Sequence, residues 1–512
     1  MSNILRISLF ILFAGSPTML GYAATPDGQL QINIIDPATQ TPLPVRIELT
    51  NTRGRTVRLG KSAAGALGNH FYLTGQGVLG LKRGDYLFTL DAGPEYKTQR
   101  GDFKIERHAD DSKVVEMHRF TDLEKEGWYA GDFDSVRNAK DLPLMAQVEA
   151  LHFVPSVAWT YDGKKWSESP RNIMLPVDEV DPQAAGRKLG AYAARVEQPG
   201  GTLLLFADEP MVEKPFEVEA GWSTEKILLA AVEADLHVVA ASPVEWELPV
   251  WIATDELSTV ALLTRNDYGD YRQGSDKGTR PRDTSFYPGK QGQAQWEQAV
   301  YFHLLNCGLQ VTPVAGSGSG ANEMPLGSNR TYVYHANAFS PEAWWRGVEQ
   351  GATVVTNGPL LRPQVGGQPP GTTFSLGNGG QVDYQVGLNL ASRDARVEYL
   401  EVIKNGETFA EVRLSDWVAK KGQLPPVSFD SSGWFAVRAA TTEEQKYQYA
   451  LNSPYYVEST EGPRVSRESV EFFLAWLDEL AELPADERSA SEAEIAKARE
   501  FWQQLLSEAN AP

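Results

Sequence analysis

Two carboxylates, Asp132 and Asp134, follow a short aromatic strand that the sequence predicts over residues 128–131. A run of helical period and a second apolar strand, 153–159, come next in the chain. This order is typical of an α/β unit, and in α/β barrels the catalytic side chains stand at the carboxyl ends of the strands. The two aspartates therefore occupy a position where catalytic or metal-binding residues are expected.

Other polar side chains border further predicted strands of the same segment. One aspartate follows the apolar strand 201–206, two follow the strand 259–263, and an Asn-Arg pair precedes the strand 331–334. Acidic residues dominate this set and histidine is nearly absent from it. The residues predicted to bind a ligand are Asp208, Asp270, Asn329 and Arg330.

Seven segments of the chain carry a family resemblance when they are taken together. They are 127–132 (Gly-Trp-Tyr-Ala-Gly-Asp), 149–152 (Glu-Ala-Leu-His), 248–251 (Leu-Pro-Val-Trp), 302–308 (Phe-His-Leu-Leu-Asn-Cys-Gly), 315–317 (Ala-Gly-Ser), 329–333 (Asn-Arg-Thr-Tyr-Val) and 355–361 (Val-Thr-Asn-Gly-Pro-Leu-Leu). The chain resembles the CehA/McbA-type branch of the PHP (polymerase and histidinol phosphatase) metallohydrolases over about residues 121–363, and more loosely beyond. The resemblance implies a seven-stranded β/α barrel that binds zinc, manganese or iron and hydrolyses ester, phosphoester or carbamate bonds.

The metal-binding motifs of that family are altered in this sequence. The first motif, Gly-Asp-x-His-x-His, falls on residues 131–136, where Asp134 and Val136 replace both histidines. A later Asn-His pair ends here in Asp267, and a Gly-Ser-Asp-x-His segment falls on 316–320, which contains only glycine and serine. Imidazole nitrogen suits zinc, iron and manganese, whereas valine and glycine offer no side-chain donor.

Three carboxylates remain as candidate metal ligands: Asp132, Asp134 and Asp267. They could hold a hard divalent cation through oxygen, as calcium and magnesium sites do. Such a site would be weak, and it would not activate water, whose pKa is about 7 on zinc but about 15.7 in bulk. We therefore expect no cofactor, or a divalent metal held by carboxylates.

Three functions stay open at this point. The favoured one is a non-catalytic relative, in which the barrel is a scaffold whose acidic and aromatic mouth binds a ligand. The second is a metal-dependent ester or phosphoester hydrolase with a remodelled carboxylate site, assisted by Asp270, Asp208 or Glu149. The third is an adhesion or carbohydrate-binding protein that acts through its β domains. His152 and His303 fit core positions, and the Gly/Ser turn matches neither a nucleophile elbow nor a P-loop.

The predicted fold class is α/β, with a PHP-like distorted β/α barrel flanked by N- and C-terminal β-sandwich domains and a C-terminal helical pair. Leu30, Ile32 and Ile34 alternate with polar residues, which indicates a strand with one buried face. Between 121 and 363, apolar strands alternate with helical runs, and this pattern favours a parallel sheet covered by helices. The predicted domains are a signal peptide 1–24, a β-sandwich 25–120, the barrel 121–363, a second β-sandwich 364–460 and helices 461–512.

Three local signals fix particular elements. Ser340 and Pro341 are typical of the cap and first residue of a helix. Asn405-Gly406 between two apolar runs indicates a tight hairpin turn. Ser491 and Glu494 have the spacing of a capping box at the start of the last helix.

Composition limits the partners and the cellular compartment. The chain has 512 residues and a net charge of −20, so its surface repels phosphate backbones and nucleic acid is excluded as a partner. The apolar run 7–13 behind Arg6, followed by small residues at 21–24, predicts an exported protein with no transmembrane span after cleavage. Cys307 is the single cysteine and cannot form an internal disulfide. Together these features favour a bacterial periplasmic or secreted protein.

Overall fold

The computed structural model describes residues 19–20, 26–57, 68–169, 186–264, 278–377, 380–393, 396–441 and 447–512. Within these residues the chain is a mixed α/β protein that is rich in strands. It divides into two compact units. Unit 1 comprises Met1–Asp91 and Gln99–His118, and unit 2 comprises Ala92–Thr98 and Arg119–Pro512.

The described residues of unit 1 form two β-sheets. One has the strand order β1-β6-β2-β3 with β9 paired to the side of β2, and the other has the order β5-β4-β7-β8. Leu30, Ile32 and Ile34 are all buried in β2, so the predicted alternation is confirmed. A β-sandwich over 25–120 stays a prediction. The strands are β1 (Met19–Leu20), β2 (Gly28–Asp36), β3 (Thr41–Pro42), β4 (Val45–Asn51), β5 (His70–Leu73), β6 (Gln76–Leu81), β7 (Gly84–Asp91), β8 (Gln99–Ile105) and β9 (Asp110–Glu116).

The first part of unit 2 contains ten strands and five α-helices among its described residues. The strands are β10 (Trp128–Gly131), β11 (Phe153–Tyr161), β12 (Trp166–Glu168), β13 (Lys188–Gln198), β14 (Gly201–Phe206), β15 (His237–Ala240), β16 (Thr259–Thr264), β17 (Thr312–Gly316), β18 (Arg330–Tyr334) and β19 (Thr353–Thr356). The helices are α1 (Leu142–Val148), α2 (Thr224–Glu233), α3 (Leu248–Ile252), α4 (Gly292–Asn306) and α5 (Pro341–Glu349). Nine of the strands follow one another in one sheet in the order β17-β16-β15-β14-β13-β11-β10-β18-β19, called the nine-strand sheet below, and β12 pairs with β11 beside this path.

The nine-strand sheet is mixed, and the expectation of a parallel sheet was wrong for two strands. β10, β11, β13, β15, β16, β17 and β19 run in one direction, whereas β14 and β18 are antiparallel to their neighbours. The cause for β14 is its connection to β13, in which Gln198 pairs with Gly201 across the turn Pro199-Gly200. Two residues can join only antiparallel strands, because a parallel return needs a crossover of about a dozen residues.

The two ends of this sheet approach each other. The backbone N–H of Ala315 in β17 donates to Thr331 Oγ1 in β18 at 2.7 Å. Thr353 Oγ1 in β19 donates to the Pro313 carbonyl at 3.1 Å. The N–H of Phe133, just after β10, donates to the Ala315 carbonyl at 3.0 Å. The sheet therefore curves back on itself around a common interior.

An aromatic cluster fills that interior. Phe133 lies between Phe153, Phe206 and two tryptophans of α5, Trp344 and Trp345, with ring centroids 5.4–6.1 Å apart. Helix α5 begins as predicted, because Ser340 Oγ accepts from the Ala343 N–H and a proline stands at the first position. The side chain of Phe133 thus faces the interior. Its neighbours in the chain are the two candidate aspartates, Asp132 and Asp134.

Most of the remaining strands of unit 2 continue the same sheet, whereas β20 pairs with β23 and β22 pairs with β26 in two small separate sheets. Beyond β19 the order runs on through β28, β27, β24 and β25, so hydrogen bonding does not stop at the predicted boundary between 363 and 364. The hairpin at Asn405-Gly406 is confirmed between β24 and β25. The elements are β20 (Leu360–Val365), β21 (Thr373–Ser375), β22 (Val382–Tyr384), β23 (Val386–Ala391), β24 (Val397–Lys404), β25 (Glu407–Arg413), α6 (Leu414–Ala419), β26 (Val427–Phe429), β27 (Gly433–Thr441), β28 (Tyr449–Asn452) and β29 (Tyr455–Glu458).

Two long helices, α7 (Arg467–Glu482) and α8 (Glu492–Ser507), end the chain and pack on α3. Trp476 Nε1 donates to the Trp246 carbonyl at 3.1 Å, and Trp502 Nε1 donates to the Pro249 carbonyl at 2.9 Å. The buried Glu247 carboxylate accepts from Ser489 Oγ at 2.8 Å. The predicted capping box at the start of α8 is confirmed.

Part of the sequence-based prediction falls on residues that the structure does not describe. Apart from 19–20, the predicted signal peptide 1–24 lies outside the described residues, and so do Asp267 and Asp270. Within the described part of the chain, every helix is too short or too polar to cross a bilayer.

Candidate functional site

Asp132 is fully buried directly after β10, and its hydrogen bonds tie loops to that strand end. Oδ1 accepts from the backbone N–H of Asp134 at 3.1 Å and of Ser317 at 2.8 Å. Oδ2 accepts from Ser317 Oγ at 2.5 Å and from the Gly327 N–H at 2.8 Å. Burial raises the pKa of Asp132 to about 6, although these four donors act in the opposite direction.

Asp134 is also buried, and it forms an ion pair with an arginine of β13. Arg195 Nη1 lies 3.1 Å from Asp134 Oδ2, and both side chains are less than a tenth exposed. Arg195 Nε donates to Glu197 Oε1 at 2.7 Å, nearer the surface. A guanidinium therefore supplies the positive charge beside this carboxylate.

The Gly/Ser turn at 316–320 packs against both aspartates. A Cβ on Gly316 would overlap the backbone N of Asp134, so glycine is required for this close approach. Ser317 Oγ is used by Asp132, and Ser319 Oγ accepts from Arg137 Nε at 2.9 Å and donates to the Met324 carbonyl at 2.7 Å. Both serines are fully buried, so neither presents a nucleophile to solvent.

Asn329 and Arg330 lie at the same end of the sheet as Asp132, and both donate hydrogen bonds to nearby backbone carbonyls. Arg330 Nε donates to the Gly327 carbonyl at 2.6 Å, and Nη1 donates to the Glu149 carbonyl at 2.7 Å. Asn329 Nδ2 donates to the Gly316 carbonyl at 3.3 Å. Both residues are buried and fasten the loops that surround Asp132.

Asp208 does not join this group, although the sequence places it after a predicted strand, as it does Asp132 and Asp134. It follows β14, which runs against its neighbours, so it lies where β13 and β15 begin. There Lys188 Nζ donates to the Asp208 carbonyl, and His237 Nε2 lies 3.9 Å from Asp208 Oδ1. The reversal of one strand thus moves this carboxylate to the other end of the sheet.

The two histidines that the sequence assigned to the core are in packed positions. His303 Nδ1 lies 2.9 Å from Ser469 Oγ, and its ring stacks on Phe472 at 4.2 Å. Burial, with a contribution from Arg280, lowers the pKa of His303 to about 4. His152 is buried, and its Nδ1 accepts from the Ala130 N–H at 3.4 Å.

The described residues do not fit a hydrolytic metal centre. Such a centre needs about three protein ligands and an open coordination position. Both oxygens of Asp132 already accept hydrogen bonds, and Asp134 faces the positive charge of Arg195. Across the described ranges, no three His, Cys, Asp or Glu side chains are grouped to hold a metal ion.

Arg195 and Arg137 are the residues of this site that sequence reasoning missed. Arg195 stands in the apolar strand run Ala193-Ala194-Arg195-Val196, and β13 is buried over most of its length. A charged side chain inside such a strand signals a buried partner of opposite charge, because an isolated buried charge is costly. The sequence contained this signal, but it could not identify Asp134 as the partner.

Comparison with known proteins gives no family for the chain. No protein-family model and no curated protein sequence matches it. Among solved structures, the Bacillus anthracis TIE protein is 18% identical over 21% of this chain and 19% of its own, with a TM-score of 0.15. The Parabacteroides merdae β-glucuronidase is 8% identical over 81% of this chain and 61% of its own, with a TM-score of 0.18. Scores this low establish no shared fold, so neither likeness bears on function.

Proposed function

We propose that this chain is an exported relative of the CehA/McbA-type PHP metallohydrolases that has lost hydrolysis and acts by binding a ligand. In this proposal the nine-strand sheet of unit 2 is a distorted form of the family's barrel. The contacts between β17 and β18 and the interior filled by Phe133, Trp344 and Trp345 support that reading of the sheet.

The observation that carries the proposal is the buried ion pair between Asp134 and Arg195. A divalent cation bound at Asp134 would lie close to the guanidinium, and two like charges repel strongly in a site shielded from water. The arginine thus takes over the electrostatic role of a metal, but it offers no open coordination position and does not acidify water.

The hydrogen bonds of Asp132 support the same conclusion. In a metal site its carboxylate oxygens would face the ion, whereas here they bind Ser317, Gly327 and the Asp134 N–H. These donors tie the β17–β18 loop, which carries Ser317 and Gly327, and the loop after β10 to the end of β10. The end of the strand that would carry chemistry in a hydrolase has become a structural junction.

In this proposal the activity of the protein is ligand binding, and the predicted signal peptide places it outside the cytoplasm. The net charge of −20 argues against polyanionic ligands such as nucleic acid. A neutral or cationic ligand is compatible with this charge.

Metal analysis together with turnover assays tests the proposal. The full chain is purified without chelators, dialysed against zinc, manganese or iron(II), and assayed for bound metal. It is then incubated with p-nitrophenyl esters, p-nitrophenyl phosphate, bis-p-nitrophenyl phosphate and 1-naphthyl methylcarbamate. We expect much less than one metal per chain and no turnover above buffer.

One metal per chain, with turnover that a chelator abolishes, would sink the proposal. The variants Asp134→Asn and Asp267→Asn then separate the alternatives. In a carboxylate-based hydrolase, both variants lose metal and turnover together. In the proposed binding protein, Asp134→Asn changes stability alone.

A further inference from the structure

A cavity of about 350 Å³ lies in unit 2 where β17 and β19 begin, away from the strand end that carries Asp132. Its wall is formed by the start of β17, the end of α5, the 368–372 segment and β29 with the turn before it. Pockets of about 300–1,000 Å³ commonly bind small molecules. The volume is therefore adequate for a small ligand, at the lower end of that range.

The cavity wall is rich in hydroxyl and carboxamide groups. Thr312, Ser453 and Tyr456 contribute hydroxyl-bearing side chains that are each at most a tenth exposed. Gln350 and Gln368 stand at the rim, where their side chains are exposed to solvent. Hydroxyls and carboxamides both donate and accept hydrogen bonds, as do the hydroxyls of a sugar. The wall thus matches a ligand with many alternating donors and acceptors.

The charges around the cavity disfavour an anionic ligand. Its described lining contains one carboxylate, Glu349, and no Lys, Arg or His. Glu458 lies close by, since its Oε1 accepts from the lining residue Gln310 at 3.3 Å. Without a cation to compensate it, an acidic ligand would meet net repulsion here.

The backbone holds the cavity in shape without a ligand. The segment 368–372 is fixed because Thr372 Oγ1 donates to the Pro369 carbonyl at 2.8 Å and the Gly371 N–H donates to the Pro454 carbonyl at 2.9 Å. Gly371 lies so close to α5 that a Cβ there would overlap the Gln350 carbonyl. A preformed wall reduces the conformational entropy that a ligand has to overcome on binding.

We propose that this cavity binds a neutral, hydroxyl-rich ligand of the size of a mono- or disaccharide. The hydroxyl of Thr312 and the carboxamide of Gln350 bind ligand hydroxyls. The rings of Pro369, Pro370 and Tyr456 supply apolar surface for the C–H face of a sugar ring. The site is separate from Asp132 and Asp134, so it stands even if the chain proves to be a hydrolase.

Titration calorimetry with defined sugars tests the proposal on the full chain. The probes are maltose, cellobiose, lactose and N,N′-diacetylchitobiose, with digalacturonate as the anionic comparison. We expect at least one neutral disaccharide to bind and digalacturonate not to bind. Thr312→Val keeps the shape of the side chain and removes its hydroxyl, and Gln350→Ala shortens an exposed side chain, so both variants should fold.

Each variant should weaken the Kd about three- to tenfold, as expected for the loss of one neutral hydrogen bond. Gln504→Ala, an exposed glutamine of α8, is the matched control and should leave the Kd unchanged. Three results would overturn the proposal. The first is that no neutral probe binds at about 10 mM, the weakest affinity worth assigning to a specific site. The second is binding that both cavity variants leave unchanged. The third is digalacturonate binding as tightly as the neutral disaccharides.

Discussion

Replacement of Arg195 by methionine should destabilise unit 2 by about 3–5 kcal/mol, because it leaves the Asp134 carboxylate buried without its cation. The two side chains are 8% and 1% exposed and their charged atoms are 3.1 Å apart. At an effective dielectric constant of 20, their attraction is about 5 kcal/mol. Methionine keeps most of the apolar volume, so the loss reports mainly on charge.

Urea titration followed by tryptophan fluorescence measures this loss in unit 2 alone. All 13 tryptophans lie between residues 128 and 502, and unit 1 contains none of them. The double variant Arg195→Met/Asp134→Asn removes both charges and leaves neither one buried alone. Its loss in the free energy of unfolding should therefore be about 2–3 kcal/mol smaller than the sum of the losses of the two single variants.

The matched control is Arg499→Met, which breaks an ion pair of 2.7 Å with Asp478 at the surface. Exposed pairs contribute at most about 1 kcal/mol, so this variant should change little. The reasoning is refuted if Arg195→Met is as mild as the control, or if the two single losses simply add. A chelator that destabilises the wild type would also contradict it, since Asp134 would then be holding a metal.

Three further predictions rest on single residues of unit 2. Gly316→Ala should cost about 2–4 kcal/mol through overlap with the Asp134 backbone, whereas Gly377→Ala, which has open space around it, should be near neutral in the same urea titration. Burial lowers the pKa of His303 in the folded protein from 6.5 to about 4, so its contribution to the free energy of unfolding is lost as the pH falls from 6.5 to 4. His303→Gln should remove up to about 3 kcal/mol of this acid sensitivity. Burial raises the pKa of Glu247 from 4.5 to about 7, so here stability is lost as the pH rises between these values. Glu247→Gln should flatten the dependence of the free energy of unfolding on pH over this range. An unchanged pH dependence in either the His303 or the Glu247 variant would contradict the corresponding pKa shift.

Local features of the fold could be predicted because a few adjacent residues determine them. The alternation of β2, the cap at Ser340, the hairpin at Asn405-Gly406 and the capping box at Ser491 all depend on side chains within one turn or strand. Each can be recognised from residues that are near neighbours in the chain. Sequence patterns report such interactions directly.

Pairings between distant segments could not be predicted in the same way. The direction of β14 was missed although the turn Pro199-Gly200 indicates a hairpin, because its apolar run is also typical of a parallel strand. The union of β19 with β28 joins residues about a hundred positions apart, and period-2 patterning does not specify a partner. The same limit applies to Arg195, whose partner lies 61 residues earlier in the chain.

The unbroken ladder from β17 to β25 has a consequence for how this protein could evolve. A chain that ended after β20 would leave β19 with open backbone groups along one side, and exposed strand edges recruit strands from other molecules. The two halves of unit 2 are the elements up to β20 and the elements after it. Neither half could therefore be lost, duplicated or exchanged as an independent module without aggregation. The two halves have to be inherited together, as one piece of architecture.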